Sequence, residues 1–210
     1  AIIPKAYANT PTKAKLYTYE DAIDLAEQFG IDVERVNFEG AFLLDALLAM
    51  TVDKLMNDRL DYETMNTFRL DPHRQEELHD SHGRLWVNDT KATNLDATIA
   101  AVKRYEDRFI HLILGGDDKG VDLSGLFHFL QDKQLQIYTI GSNQDKLTAL
   151  AKKHGIGFVR CNNLVDALKD IDTALQKDQV ALLSPAASSL DQFNSYAQRG
   201  EVFKQTVNKL

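Results

Sequence analysis

The chain has 210 residues, 44% of them hydrophobic, which is enough for one large domain or two modest ones with real cores and too apolar for a disordered chain. Its formal net charge of −7, without any cluster of Lys and Arg, argues against a nucleic-acid partner, because phosphate backbones are held by grouped cations. The longest apolar stretch, "AFLLDALLAM" at 41–50, is far shorter than a bilayer span and contains Asp45, and the lone Cys161 excludes a disulfide framework. With no basic, apolar leader at its start, the chain is expected to be cytoplasmic, with no membrane segment. It opens at Ala1, which fits either processing or a piece of something longer.

Residues 1–71 are mainly helical in pattern. The opening "AIIPKAYANTPTKAKLYTY" holds two of the four prolines and short alternating runs, so it reads as loop or edge strand. "YEDAIDLAEQFGI" puts Ala22, Ile23, Leu25 and Ala26 on one helical face and ends at Gly30, a C-cap residue. "FLLDALLAMTVDKLM" is a second helix, apolar nearly all round and so expected to be buried. No core of its own is evident in this region.

From about Pro72 short apolar runs alternate with amphipathic helices. The runs are "RLWVN", "FIHLILGG", "LQIYTIG", "GFVR" and "VALLSP"; helices are predicted from near Leu95, Leu123, Gln144 and Val165, with another after Ser188. Uninterrupted apolar strands alternating with helices predict an α/β, doubly wound, Rossmann-like and mainly parallel sheet covered on both faces. Ligands of such sheets bind beyond the carboxyl ends of the strands. Three polar clusters fall there: "NDTKATN", "GGDDKG" and "SPAASSLDQF".

Each cluster has two readings. Asp89, Thr93 and Asn94 are the residue types of turns and of an N-cap for the helix from Leu95, and equally of a ligand site. Lys91 near a helix N-terminus is disfavoured by the dipole and better explained by an anionic ligand. "GGDDKG" is not a P-loop, since Val121 and Asp122 stand where Lys and Ser or Thr would follow, and no G-x-G-x-x-G occurs either. Lys119 still offers a cation at a strand end. "SPAASSLDQF" places hydroxyls at an expected helix start, where Ser189 reads as a cap or as part of an anion site. The six histidines lack metal-ligand spacing, no G-x-S-x-G elbow is present, and Cys161 has no activating neighbour in the sequence.

Taken together, "DPHR" at 71–74, "VNDTKATN" at 87–94, "GGDDKG" at 115–120 and "LLSPAASSLDQFNSYAQRGEVFKQ" at 182–205 resemble the signature series of the Mur ligases, in the branch that adds D-glutamate. The match in order and spacing runs across residues 72–210. The resemblance implies that 72–210 is a Rossmann-like D-glutamate-binding domain and that 1–71 is the C-terminal, mostly helical remnant of a central ATP-binding domain. It implies an ATP- and Mg2+-dependent ligase, a monomer, that activates the carboxylate of UDP-N-acetylmuramoyl-L-alanine as an acyl phosphate for attack by the amine of D-glutamate.

By motif position, Arg74 and Asp89 would contact the nucleotide, and Lys91 would stabilise charge at the reacting centre. Thr93 and Lys119 would hold the D-glutamate side-chain carboxylate, and Ser189, Leu190 and Tyr196 its other carboxylate. Two departures stand out. The family's P-loop, metal ligands and carbamylated Lys have no counterpart here. "GAFLLDA" also replaces G-x-H-N-x-x-N, putting Phe42 and Leu43 where the family has His and Asn. Other classes consistent with the same residues are a non-catalytic module sensing an acidic amino acid or nucleotide, and an assembly scaffold.

Overall fold

Residues 1–210, the side chain of residue 41 apart, are described by a computed structural model that divides into two units, Ala1–Arg69 and Leu70–Leu210. In the first unit β1 (Ile2–Pro4) and β2 (Tyr17–Tyr19) pair in parallel, followed by α1 (Ala22–Phe29), α2 (Gly40–Asn57) and α3 (Tyr62–Thr67). Asp21 caps α1 by accepting the Asp24 N–H at 2.9 Å, and Gly30 closes it at φ 68, the left-handed cap expected of this residue.

Two expectations for this unit need correction. It does have a core, in which Leu25 and Ala26 of α1 meet Ala46, Leu47 and Met50 of α2, with Tyr19 and Tyr62 at its edges. The apolar α2 is not buried all round: Phe42, Ala46, Leu47 and Met50 face inward, while Val52, Leu55 and Met56 are exposed, Met56 by 76%. Within the unit, the core lies against one side of this 18-residue helix.

The second unit contains a six-stranded sheet in the order β3-β4-β8-β5-β6-β7. Its strands are β3 (Glu76–His79), β4 (Leu85–Asn88), β5 (Ile110–Gly115), β6 (Leu135–Ile140), β7 (Phe158–Arg160) and β8 (Val180–Leu183). All neighbours are parallel except β3, an antiparallel edge strand on β4. The helices are α4 (Leu95–Arg104), α5 (Ser124–Leu130), α6 (Gln144–Lys153), α7 (Leu164–Ala174) and α8 (Tyr196–Val207).

Even fully buried strands alternate. Val87, Leu112 and Leu182 pack with α4, α5 and α6 on one face, while Trp86, Ile113 and Leu183 pack with α7 and α8 on the other. This is the doubly wound sheet expected. Inserting β8 between β4 and β5 puts the chain reversal at the centre of the sheet, where such folds open a crevice at the strand ends.

A buried charge group secures the β3 to β4 turn. The Asp80 carboxylate accepts the N–H groups of His82 and Arg84 at 2.9 and 3.0 Å, Arg84 Nε at 2.7 Å and Trp86 Nε1 at 2.8 Å. Arg84 also reaches the carbonyl and carboxylate of Asp172 in α7. Burial alone would raise the Asp80 pKa, but the donors from Trp86, Arg84 and His82 prevail and lower it to about 2. An acid whose pKa is lower folded than unfolded stabilises the fold above its unfolded pKa. That contribution, about 2 kcal/mol, is lost as pH falls from about 4 through about 2. Denaturant unfolding between pH 6 and 2 is expected to show this slope, and Asp80→Asn to flatten it while lowering stability at pH 6.

Candidate functional site

The loops that leave β4, β5 and β8 are sewn together by backbone pairs beyond the strand ends. Asp89 N–H donates to the Leu183 carbonyl at 2.8 Å, and Gly115 N–H to Pro185 at 2.9 Å. Ala186 N–H reaches Ala92 at 3.0 Å. Asp117 and Ser188 exchange two hydrogen bonds of 2.9 Å in an isolated antiparallel bridge, which joins the loop of Lys119 to the loop of Ser189 and Leu190. Gly116 permits that approach: at φ 142, a Cβ there would lie 2.1 Å from the Ser188 carbonyl oxygen.

Strain marks the same place. Among the described residues, five non-glycines have positive φ, and four of them, His73, Gln75, Lys119 and Ala186, lie in these loops or the segment before β3. Each such conformation costs on the order of 1 kcal/mol or more and persists where its surroundings enforce it, as at binding sites.

Arg199 of α8, 1% exposed, ties two of these loops together. Its Nε donates to Thr90 Oγ1 at 2.8 Å, and its Nη2 to the carbonyls of Thr90 at 3.0 Å and Ala187 at 3.1 Å. One guanidinium thus holds the ends of both β4 and β8. The next residue, Gly200, lets α8 lie against the segment before β3, since a Cβ there would meet His73 Nδ1 at 2.3 Å.

The residues singled out in the sequence distribute as follows. Lys91 is half-buried, with its Nζ 2.8 Å from Asp71 Oδ2. Thr93 is exposed just before α4, and the neighbouring Asn94 is the cap, accepting the Ala97 N–H at 2.9 Å. Lys119 is exposed at φ 51. Ser189 is buried and caps no helix: its carbonyl accepts the N–H groups of Gln192 and Phe193, and α8 starts later, capped by Ser195. The small residues from Ser184 therefore form an irregular loop rather than the helix start expected. Leu190 is 64% exposed, and Tyr196 opens α8 with its ring edge-on to His73.

Asp89 is 3% exposed and turned inward, accepting Ser184 Oγ–H at 2.8 Å and Gln75 N–H at 3.2 Å. Desolvation drives its pKa up to about 6, only partly offset by Ser184, Gln75 and the charges of Arg74 and Arg104. Here the sign is opposite to Asp80. The folded pKa is raised, so ionised Asp89 destabilises the fold at neutral pH, and the penalty disappears as pH falls through about 6 toward 4. Asp89→Asn is expected to raise the melting temperature at pH 7.5 and to leave it unchanged near pH 4. The relief is roughly 2 to 3 kcal/mol. A carboxylate kept at such a cost at a strand end has the character of a functional group.

Sequence reasoning passed over Arg199, Thr90 and the loop after β6. That loop's "GSNQ" obeys the same strand-end rule and would have been found by applying it once more. Among the described residues no group of three or more His, Cys, Asp or Glu side chains is placed to hold a metal ion. No helix among the described residues is long and apolar enough to cross a membrane.

A UDP-N-acetylmuramoylalanine--D-glutamate ligase of Campylobacter jejuni (strain 81-176) is 53% identical over 210 residues, covering 100% of this chain and 52% of that protein. The enzyme of the same description from Helicobacter pylori (strain 26695) is 40% identical over 223 residues, covering 100% of this chain and 53% of its own length. The chain belongs to the Mur ligase family. It spans about half the length of the curated relatives it matches.

Solved structures of two other enzymes share the fold. A UDP-N-acetylmuramate-alanine ligase from Thermotoga maritima superposes with a TM-score of 0.59 at 15% identity, over 81% of this chain and 38% of that one. A folylpolyglutamate synthase from the same organism gives 0.54 at 13% identity, over 83% of this chain and 41% of that one. No family model matches the chain.

Proposed function

We propose that this chain is the C-terminal half of an ATP-dependent cytoplasmic ligase that joins D-glutamate to UDP-N-acetylmuramoyl-L-alanine in peptidoglycan precursor synthesis. In that reaction ATP phosphorylates the acceptor carboxylate, giving an acyl phosphate and ADP. The D-glutamate amine then attacks the carbonyl and phosphate leaves, forming the amide. The observation that carries the reading is the bridge between Asp117 and Ser188, which places the Lys119 loop beside the Ser189 and Leu190 loop.

A dianionic amino acid needs positive charge and hydrogen-bond donors at two separated points. Lys119 and Thr93 supply one for the side-chain carboxylate; Ser189, Leu190 and Tyr196 frame the other. Lys91 lies where charge builds up as the amine attacks, and Arg74 and Asp89 serve the nucleotide. Asp89 must turn out of its bonds to Ser184 and Gln75 to reach a ribose. Mg2+ would be held mostly by ligands outside this chain, where it would offset phosphate charge.

The experiment is an assay of the complete protein with ATP, Mg2+, the UDP-muramoyl substrate and D-glutamate. ADP and phosphate are expected only when both acceptor and D-glutamate are present, with L-glutamate a poor replacement. Saturable D-glutamate binding with no ADP formed would instead assign a non-catalytic binding module.

A further inference from the structure

The loop after β6 has no task in the reading above, yet it grips the segment that carries Lys119. Asn143 uses both ends of its amide: Oδ1 accepts the Gly116 N–H at 3.1 Å, and Nδ2 donates to Asp118 Oδ2 at 3.1 Å. Lys146, one turn further on in α6, donates to the same Asp118 oxygen at 2.9 Å and to the Val121 carbonyl. The other Asp118 oxygen accepts the Gly120 N–H at 2.9 Å. Residues 116–121 are therefore fastened on both sides of Lys119, whose φ of 51 needs such enforcement.

Charge points the same way as geometry. Asp118 adjoins Lys119 and its side chain is 9% exposed, so its negative charge is poorly screened and opposes any anion brought to the lysine. Lys146 cancels that charge.

We propose that Asn143 and Lys146 are positioning residues for the amino-acid carboxylate site: they hold Asp118 and the backbone of 116–121 so that the Lys119 ammonium faces the anion, and Lys146 neutralises the carboxylate that would repel it. The inference rests on the function proposed above. Neither residue touches the substrate, so their effect falls on D-glutamate and not on the nucleotide.

The test is steady-state kinetics of the complete ligase carrying Asn143→Ala, Lys146→Met, Lys146→Arg or Lys119→Ala. Asn143→Ala and Lys146→Met are each expected to raise the D-glutamate KM roughly five- to thirtyfold, with the ATP KM unchanged. Lys146→Arg, which keeps the ion pair, is expected to restore it. Adding Asp118→Asn to Lys146→Met is expected to recover part of the loss by removing the uncompensated charge. Because Asn143 is half-buried, Lys146→Met carries the test if Asn143→Ala does not fold. Lys146→Met with an unchanged D-glutamate KM, beside a Lys119→Ala that raises it, overturns this inference and leaves the site reading standing. An unchanged KM in Lys119→Ala itself overturns the site reading, and this inference with it.

Discussion

Replacing Arg199 by Met is expected to lower the melting temperature by roughly 5–15 °C and to weaken nucleotide and amino acid together. Two effects compete. Removing a buried cation relieves its desolvation, which lowers the Arg199 pKa to about 10 despite the opposing charge of Asp191. Against that, the carbonyls of Thr90 and Ala187 and the Thr90 hydroxyl lose their donor, and both residues are fully buried. Each orphaned acceptor costs about 1 to 3 kcal/mol, so the loss prevails and leaves a net destabilisation of about 2 to 4 kcal/mol. In a chain of this size each kcal/mol moves the melting temperature by roughly 2 to 4 °C. Arg199→Lys is expected to recover little, because a single ammonium cannot span Thr90 and Ala187 as the planar fork does. Differential scanning calorimetry checks the stability, and kinetics of the complete enzyme the function; a Met variant of unchanged stability would show that the loops hold themselves.

Lys119→Ala is expected to do the reverse: leave the fold alone and strike one substrate. The side chain is exposed, and its ammonium makes no hydrogen bond or ion pair among the described residues, so stability should change by no more than about 0.5 kcal/mol. Alanine tolerates the left-handed backbone there no worse than lysine does. Losing a charge-assisted contact to a carboxylate costs roughly 2 to 4 kcal/mol, about a hundredfold in the D-glutamate KM or in turnover. The contrast between the two variants separates a residue that builds the site from one that meets the ligand.

The parallel sheet was legible because its inner strands are buried on both faces and read as unbroken apolar runs between amphipathic helices. Strand β3 was not, because "EELH" is a short, half-exposed edge pattern that carries little apolar signal. The apolar surface of α2 misled for the opposite reason: composition says how apolar a helix is, whereas the number of layers packed on it decides how much is buried. The strand-end rule located the polar loops after β4, β5 and β8 from sequence, though not the one after β6. It could not locate Arg199, whose partners are mainly backbone carbonyls more than ten residues away and leave no local pattern. The same applies to Asn143, whose partners Gly116 and Asp118 lie 27 and 25 residues earlier. Long-range hydrogen bonds to backbone are the part of a site that sequence spacing does not encode.

The most direct test of the central claim is to titrate D-glutamate into this chain labelled with 15N and to map the amide shifts. The account expects one saturable transition in which the amides of residues 117–120, 188–190 and Thr93 move together with a single dissociation constant, and only weak response to L-glutamate. Shifts confined to some other surface, or loops that respond with unrelated affinities, would contradict the single site assembled at the ends of β4, β5 and β8.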